Sequence, residues 1–434
     1  MLATGLFLSQ MACAGLPVQV WTTPQGARVW LIEAPAIEMV DVQIDFDAGS
    51  RRDPAHQVGL ASALAGLMSA GVRATQAAPA LDENALSEAW ADLGASFGAS
   101  AGADRLGFSL RSLTDADILG RVVALAAQQL AYPSFPADVW ARERERLKAS
   151  LRESRTRPST VAGRAFAQAV YGGHPYGRET TDATLDAISV ADVAALHARA
   201  VRACAATVSL VGAVTREQAQ ALVTRLLAGL HQGACTAPDA VADVQPLAQA
   251  QERRIPFESA QAHVFVGQPG VRRDDPDLFA LTVGNYILGG GGFVSRLSTE
   301  VREKRGLSYS VYSYFSPGRH AGAFTVGLQT RPDQADQALG VVREVLTRFV
   351  ADGPTEAELA AAKANLVGGF ALRIDSNRKL LDNLSTMAWF GLAPDYLDTW
   401  RSKVQAVRVA DIQAAFRRVL DPQRMVTVVL GAKP

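Results

Sequence analysis

The chain has 434 residues, 48% of them hydrophobic and 20% charged, with 43 basic and 43 acidic side chains. That length allows two or three domains with sizeable cores, and the composition is that of a globular protein. A formal net charge of zero, with arginines scattered along the chain, argues against nucleic acid or an anionic membrane surface as the main partner.

The first residues, MLATGLFLSQMACAG, form an apolar run followed by Ala12-Cys13-Ala14, an A-x-A cleavage pattern without a positively charged n-region. They predict a signal peptide over residues 1–17, cut near Ala14, and hence export to the periplasm. The alternative is a hydrophobic N-terminal segment of a cytoplasmic protein. Lipidation of Cys13 fits worse, because Gln10 stands where such a site needs an aliphatic residue. No stretch approaches the ~20 apolar residues of a membrane span. Past the leader, Cys204 and Cys235 either pair in an oxidising compartment or stay free, and their spacing matches no metal motif.

In chain order, VDVQIDFDAG (40–49) and LGFSLRSL (106–113) alternate apolar and polar residues as half-buried strands do, while 59–70, 116–131 and 137–155 have helical period. TVSLVGA (207–213) reads as a buried strand. The scheme then returns, with strands over 262–268 and 323–330 and helices over 334–351 and 355–374. Local sequence returns with it. GSRRDP at 49 reappears as GVRRDDP at 270, an offset of 221. VADVAALHARAV at 190 reappears as VADIQAAFRRVL at 409, and TVSLVGA at 207 as VTVVLGA at 426, both offsets of 219. Matches in one order at a nearly constant offset predict a duplicated domain. The copies span 18–232 and 254–434, joined by a Pro/Ala/Gln-rich linker over 233–253. Each copy is expected to be α+β, a mostly antiparallel sheet with helices packed on one face.

YILGGGGFVSRLSTEVREKRGLSYSVYSYF (286–315) resembles the C-terminal-domain signature of the pitrilysin–insulinase metallopeptidase family, which is itself built from a duplicated domain of this size. The resemblance implies two homologous LuxS/metallopeptidase-like domains forming half of a clam-shell chamber. Active members carry an inverted zinc motif, HxxEH, on the first helix, with a third ligand, Glu, from a later helix. Two histidines at i and i+4 hold zinc from one helix face, and the glutamate serves as base for a bound water. Aligned with that helix, GLASALAGLM places Ser62, Ala65 and Gly66 at the His, Glu and His positions, and Ser150 at the third-ligand position, with Glu143, Glu145 and Glu153 close by. Ser62, Ala65, Gly66 and Ser150 are therefore degenerate metal positions. They supply no imidazole or carboxylate, and the six histidines include no i,i+4 pair and no HxH. No metal and no catalytic residue of its own is expected on this chain. Ser62 as a nucleophile lacks a G-x-S-x-G elbow.

Arg302 and Tyr309 match a substrate-binding Arg/Tyr pair of the family, which reaches across the chamber to the peptide at the zinc centre. Arg302 is expected to end the helix SRLSTEVRE, Gly306 to break it, and Tyr309 to start the next strand. Read from residue types alone, Arg302 is a cation in a helix's last turn, paired with Glu300 or Glu303, and Tyr309 is a strand aromatic. Gly289–Gly292 is no P-loop, lacking GK[ST], and reads as a turn that allows close backbone approach. Residues 94–110 correspond to the sheet edge that pairs with extended substrate in the family.

These readings converge on the non-catalytic subunit of a two-subunit zinc endopeptidase, inactive alone. Its partner would be an HxxEH-bearing subunit carrying the zinc, and its substrate a peptide or small unfolded polypeptide. The alternative is a peptide-binding or scaffold protein with no proteolytic role.

Overall fold

The computed structural model describes residues 17–233 and 235–431. The predicted cleavage site at Ala14 lies outside them. Strands β1 (Val18–Thr22), β2 (Arg28–Glu33) and β3 (Met39–Phe46) open the first half, and β4 (Gly71–Val72) and β5 (Leu81–Asp82) form a small hairpin. β6 (Ser96–Ala101), β7 (Leu106–Leu113) and β8 (Thr207–Gly212) complete a sheet in the order β1-β2-β8-β3-β7-β6. The second half contributes β9 (Gln251–Ile255), β10 (Ala262–Pro269), β11 (Val311–Phe315), β12 (Ala323–Thr330) and β13 (Val426–Leu430), in the order β11-β12-β10-β13-β9.

Read in reverse, the second order repeats the first without β1. The parallel pair β2–β8 recurs as β9–β13, and the other neighbours are antiparallel in both sheets. The duplication read from local sequence is therefore a duplication of topology. β9 opens at Gln251, inside the stretch expected as linker.

The first-half helices are α1 (Leu60–Leu67), α2 (Glu83–Asp92), α3 (Ala116–Ala131) and α4 (Ala137–Ser154). α5 (Pro158–Tyr171), α6 (Asp182–Asp186), α7 (Val190–Ala200) and α8 (Arg216–Leu227) follow. The second half adds α9 (Leu278–Asn285), α10 (Ala335–Asp352) and α11 (Glu356–Gly368), then α12 (Asn377–Phe390), α13 (Tyr396–Ala406) and α14 (Val409–Val419).

Each sheet carries its own helices on one face, as expected. The first core joins Val40, Val42, Ile44 and Phe46 of β3 to Leu64, Leu67, Val122 and Leu222. The other face is covered by an exchange that local sequence does not announce. α5 packs on β10 and β13 of the second sheet, and α12 packs on β2, β3 and β8 of the first. The two helices start at Pro158 and Asn377, 219 residues apart, so they are equivalent members of the repeat. Phe166 of α5 meets Phe265 of β10 with ring centroids 5.7 Å apart, in a core shared with Val426, Val428 and Leu430. Gly267 has to lack a side chain, since a Cβ there would stand 2.0 Å from the Phe324 carbonyl oxygen and 2.9 Å from the Phe166 ring.

The repeated G-x-R-R-D loop serves this junction. A Cβ on Gly49 would meet the Ala103–Arg105 backbone at 2.4 Å, and one on Gly270 would meet the Gly322 carbonyl oxygen at 2.9 Å. Arg51, 3% exposed, donates to the Asp104 carbonyl oxygen at 2.5 Å and pairs with Asp47. The Asp104 carboxylate in turn accepts the Tyr176 hydroxyl at 2.5 Å and the Arg319 amide of the second half at 3.0 Å. The Arg51 guanidinium and the Tyr176 phenol thus surround the Asp104 group, while the buried Arg51 Nε, 3.6 Å from the Asp104 carboxylate, makes no hydrogen bond.

Cys204 and Cys235 form a disulfide, 31 residues apart in sequence. It ties the start of the inter-domain segment to the first half.

Candidate functional site

The loop before α1 sets the helix start. Gly59 takes φ +111°, a left-handed conformation suited to glycine, and the Asp53 carboxylate accepts the amides of Gly59 at 2.9 Å and Ala61 at 3.0 Å. Burial pushes the Asp53 carboxyl up to about 6, against the opposing pull of those amides and of Arg178. Leu60, Ala61, Ala63, Leu64 and Leu67 face the core, which turns the remaining face of α1 outward. Ser62 and Gly66 lie on that exposed face one turn apart, and Ala65 is 9% exposed beside them.

A hydroxyl, a methyl and a hydrogen do not fit zinc, which binds imidazole, thiolate or carboxylate. Ser150 is exposed on α4. The glutamates near it are held in surface ion pairs of their own, Glu143 with Arg146 at 2.6 Å, Glu145 with Lys148 at 3.2 Å and Glu153 with Arg157. Among the described residues no three His, Cys, Asp or Glu side chains are grouped to hold a metal ion.

β6 is an outer strand of its sheet, and α1 packs against it. Its sequence SFGASA alternates exposed and half-buried positions, and Gly98 has open space where a Cβ would stand. No backbone hydrogen bond from a loop or helix reaches the outer side of residues 97–101 among the described residues. This edge has small side chains and unpaired backbone groups, the form that strand addition uses.

The equivalent outer strand of the second sheet, β11, is treated differently. Asn285 donates its side-chain amide to the Ser313 carbonyl oxygen at 3.0 Å and accepts the Ser313 hydroxyl at 2.7 Å, which plugs the edge. Gly289 sits so close that a Cβ would come within 2.5 Å of the Ser313 hydroxyl. The glycine run thus permits close backbone approach, as its sequence suggested. Residues Tyr286–Gly290 and Ser298–Glu303 are wound as π-turns, with Gly291 N–H donating to the Tyr286 carbonyl oxygen at 2.8 Å and Lys304 N–H to that of Thr299 at 3.0 Å. Such wide turns are rare and occur mostly at functional positions.

Arg302 and Tyr309 are brought together between these features. Arg302 lies in the last turn of the second π-turn, not at the end of an α-helix, and Gly306 (φ +63°) reverses the chain. Tyr309 precedes β11, which begins at Val311, so it projects from a loop where a strand start was expected. The Arg302 guanidinium lies 4.9 Å from the Tyr309 ring centroid and 4.3 Å from that of Phe293, an aromatic clamp. Glu300, one of the two carboxylates available to Arg302 on sequence grounds, binds Lys304 at 2.7 Å and Arg305 at 2.6 Å. Arg302 has no ion pair with Glu300 or Glu303 among the described residues. Tyr309 is 83% exposed and Phe293 66%. Phe293 was not singled out from the sequence; an aromatic directly after four glycines, in a segment with no apolar periodicity, was the available signal.

The comparisons with known proteins agree with this frame. Residues 28–184 match the family described as insulinase (peptidase family M16), and residues 187–366 match the peptidase M16 inactive domain. A crystal structure of a peptidase M16 inactive domain from Pseudomonas fluorescens superposes with a TM-score of 0.89 at 34% identity, covering 96% of this chain and 98% of that one. This chain belongs to peptidase family M16.

Two curated relatives match in part. An uncharacterized zinc protease of Streptomyces coelicolor is 34% identical over 197 residues, 43% of this chain and 42% of that protein. A non-peptidase homolog of Helicobacter pylori is 32% identical over 165 residues, 37% of each chain. The M16 chain described here has the family's two-domain frame and its inactive domain.

Proposed function

We propose that this M16 chain is the non-catalytic subunit of a two-subunit endopeptidase, contributing Arg302 and Tyr309 to a composite site whose HxxEH motif and zinc lie on the partner. The observation that supports this most is the clamp around Arg302. A guanidinium passed over by the neighbouring carboxylate and held by two exposed rings is set out for a ligand. Together with the Tyr309 hydroxyl it can donate hydrogen bonds to the carbonyl oxygen of a bound peptide, fixing its position and stabilising charge that develops there. Arginine suits this role because its fork stays charged and pre-organised while its faces stack.

The test is reconstitution. The purified chain alone should cleave no peptide, and mixing it with an HxxEH-bearing M16 partner should give cleavage that depends on Arg302. Export to the periplasm fits the Cys204–Cys235 disulfide, a bond that persists in oxidising compartments. Among the described residues no helix is long and apolar enough to cross a membrane.

A second reading is favoured by the open edge of β6. A chain that adds an extended peptide there, beside the ligand-free face of α1, would hold polypeptide without cutting it. The two readings separate on the pair. Silence of an Arg302/Tyr309 double variant in every reconstituted assay supports the scaffold.

A further inference from the structure

A cleft of about 1520 Å³ involves neither the α1 face nor the Arg302 clamp. Its floor is the G-S-R-R-D-P loop with the ends of α5 and α7, and its outer wall is the segment 235–248. That segment has no regular structure and is exposed over most of its length, yet it is fixed at intervals. Cys235 is bonded to Cys204, the Asp239 carbonyl oxygen accepts Arg52 at 2.8 Å, and the Asp243 carboxylate meets the His320 ring nitrogen at 2.7 Å. Val244, 7% exposed, seats its far end. The segment is thus a strap pinned to the body at intervals, at Cys235, Asp239 and Asp243.

The lining says what would fit beneath it. Val170 and Leu196 on the body and Pro238, Val241 and Leu247 on the strap are apolar. Of the lining aspartates, Asp47 is held by Arg51 and Arg52, Asp53 by the amides of α1, and Asp243 by His320, leaving Asp239. Arg178 and Arg199 are both exposed on the rim; Arg178 donates one N–H to the Asp53 carbonyl oxygen at 3.1 Å, and neither makes a carboxylate salt bridge among the described residues. The volume exceeds the roughly 300–1,000 Å³ of small-molecule sites. Apolar walls of this extent, with two guanidinium groups at the rim that keep N–H groups for a ligand, match a polypeptide end better than a small anion.

We propose that the cleft under the strap is a peptide-binding site for a short, apolar, extended segment whose free C-terminal carboxylate is taken by Arg178 and Arg199. It uses no residue of the Arg302 clamp and stands or falls apart from the composite-site reading.

The experiment is fluorescence anisotropy on the full chain with a dansylated octapeptide of Val, Leu and Ala, prepared with a free C-terminal carboxylate and as the amide. The free acid should bind at least ~10-fold more tightly than the amide, as loss of a charge-assisted pair implies. Arg178→Glu with Arg199→Glu should remove that preference, and Val241→Glu on the strap should weaken both peptides. Replacing both Cys204 and Cys235 by Ser should weaken binding several-fold, because the strap would then be ordered by the ligand. Equal binding of acid and amide, or a preference that survives the charge reversal, would overturn the assignment. Displacement by dodecanoate at lower concentration than by the unlabelled peptide would overturn it in favour of a fatty acid.

Discussion

The guanidinium of Arg302 stacks on the ring of Tyr309 at 4.9 Å, while the carboxylate two residues away, Glu300, is engaged by Lys304 and Arg305. The stacking orients the cation without consuming its N–H groups. In the reconstituted enzyme, Arg302→Ala should lower kcat/KM by about 100- to 1,000-fold, the range seen when an oxyanion donor is removed. Tyr309→Phe keeps the stack and loses one donor, so it should cost about tenfold at most. Because Tyr309 is exposed and Arg302 is only half-buried and outside any ion pair with Glu300 or Glu303, thermal unfolding midpoints of the variants should stay within a few degrees of the parent.

α1 can be asked to regain its ligands. Gly66 has no atom within 4 Å of a built Cβ, and Ser62 is exposed, so Ser62→His with Ala65→Glu and Gly66→His should fold. Two imidazoles one helical turn apart should then bind zinc measurably by calorimetry, where the parent chain shows no stoichiometric uptake. Equal zinc content in parent and variant would contradict the reading of α1 as a helix that lacks only donors.

Asp53 gives a pH signature. Its carboxyl is raised to about 6 in the folded chain, chiefly by burial, against about 3.9 when unfolded. The native state therefore holds the proton more tightly. Asp53's favourable contribution is complete below the unfolded value and is lost as pH rises through about 6. Between pH 4 and 7.5 this amounts to roughly 2–3 kcal/mol. Denaturant unfolding over that range should show parent stability falling with rising pH relative to Asp53→Asn, which cannot titrate. Parallel curves would refute the assignment.

Exchange of α5 and α12 binds the halves into one unfolding unit. Phe166→Ala, at a site 5% exposed against Phe265, should destabilise by about 3–5 kcal/mol. The loss should appear in a single transition reported by both halves. Two separate transitions, with only the first half affected, would show that the exchanged helices do not couple the domains.

Much of the frame was legible in the sequence because it is written in local periodicity. β7 and β12 occupy the predicted strands 106–113 and 323–330 without a residue's difference, and α3 fills the predicted helix 116–131. The constant offset between the repeats revealed the duplication, and the structure extends it to strand order. What stayed hidden depends on contacts between distant residues. Nothing in PSTVAGRAFAQAVY says that its apolar face covers the other half's sheet, since amphipathicity specifies burial and not the partner. The π-turn over Tyr286–Gly290 lies where Gly289 and Asn285 pack against β11, and no local pattern encodes it or the second one, Ser298–Glu303. The end of TEAELAAAKANLVGGFALRI likewise reads as helix, yet α11 stops at Gly368 and tightens into a 3-10 segment through two glycines. At the candidate site, residue types alone offered Glu300 or Glu303 as the partner of Arg302. Only the structure shows that Lys304 and Arg305 engage Glu300.

The central claim is that this chain supplies a gripping pair and no metal. Its most direct test is single-turnover cleavage of a fluorogenic peptide by an HxxEH-bearing M16 partner with and without this chain, using parent and Arg302→Ala forms. The account predicts cleavage only when both chains are present, with the Arg302→Ala mixture slower by about two to three orders of magnitude at unchanged assembly. Equal rates for parent and variant mixtures, or cleavage by this chain alone, would contradict it.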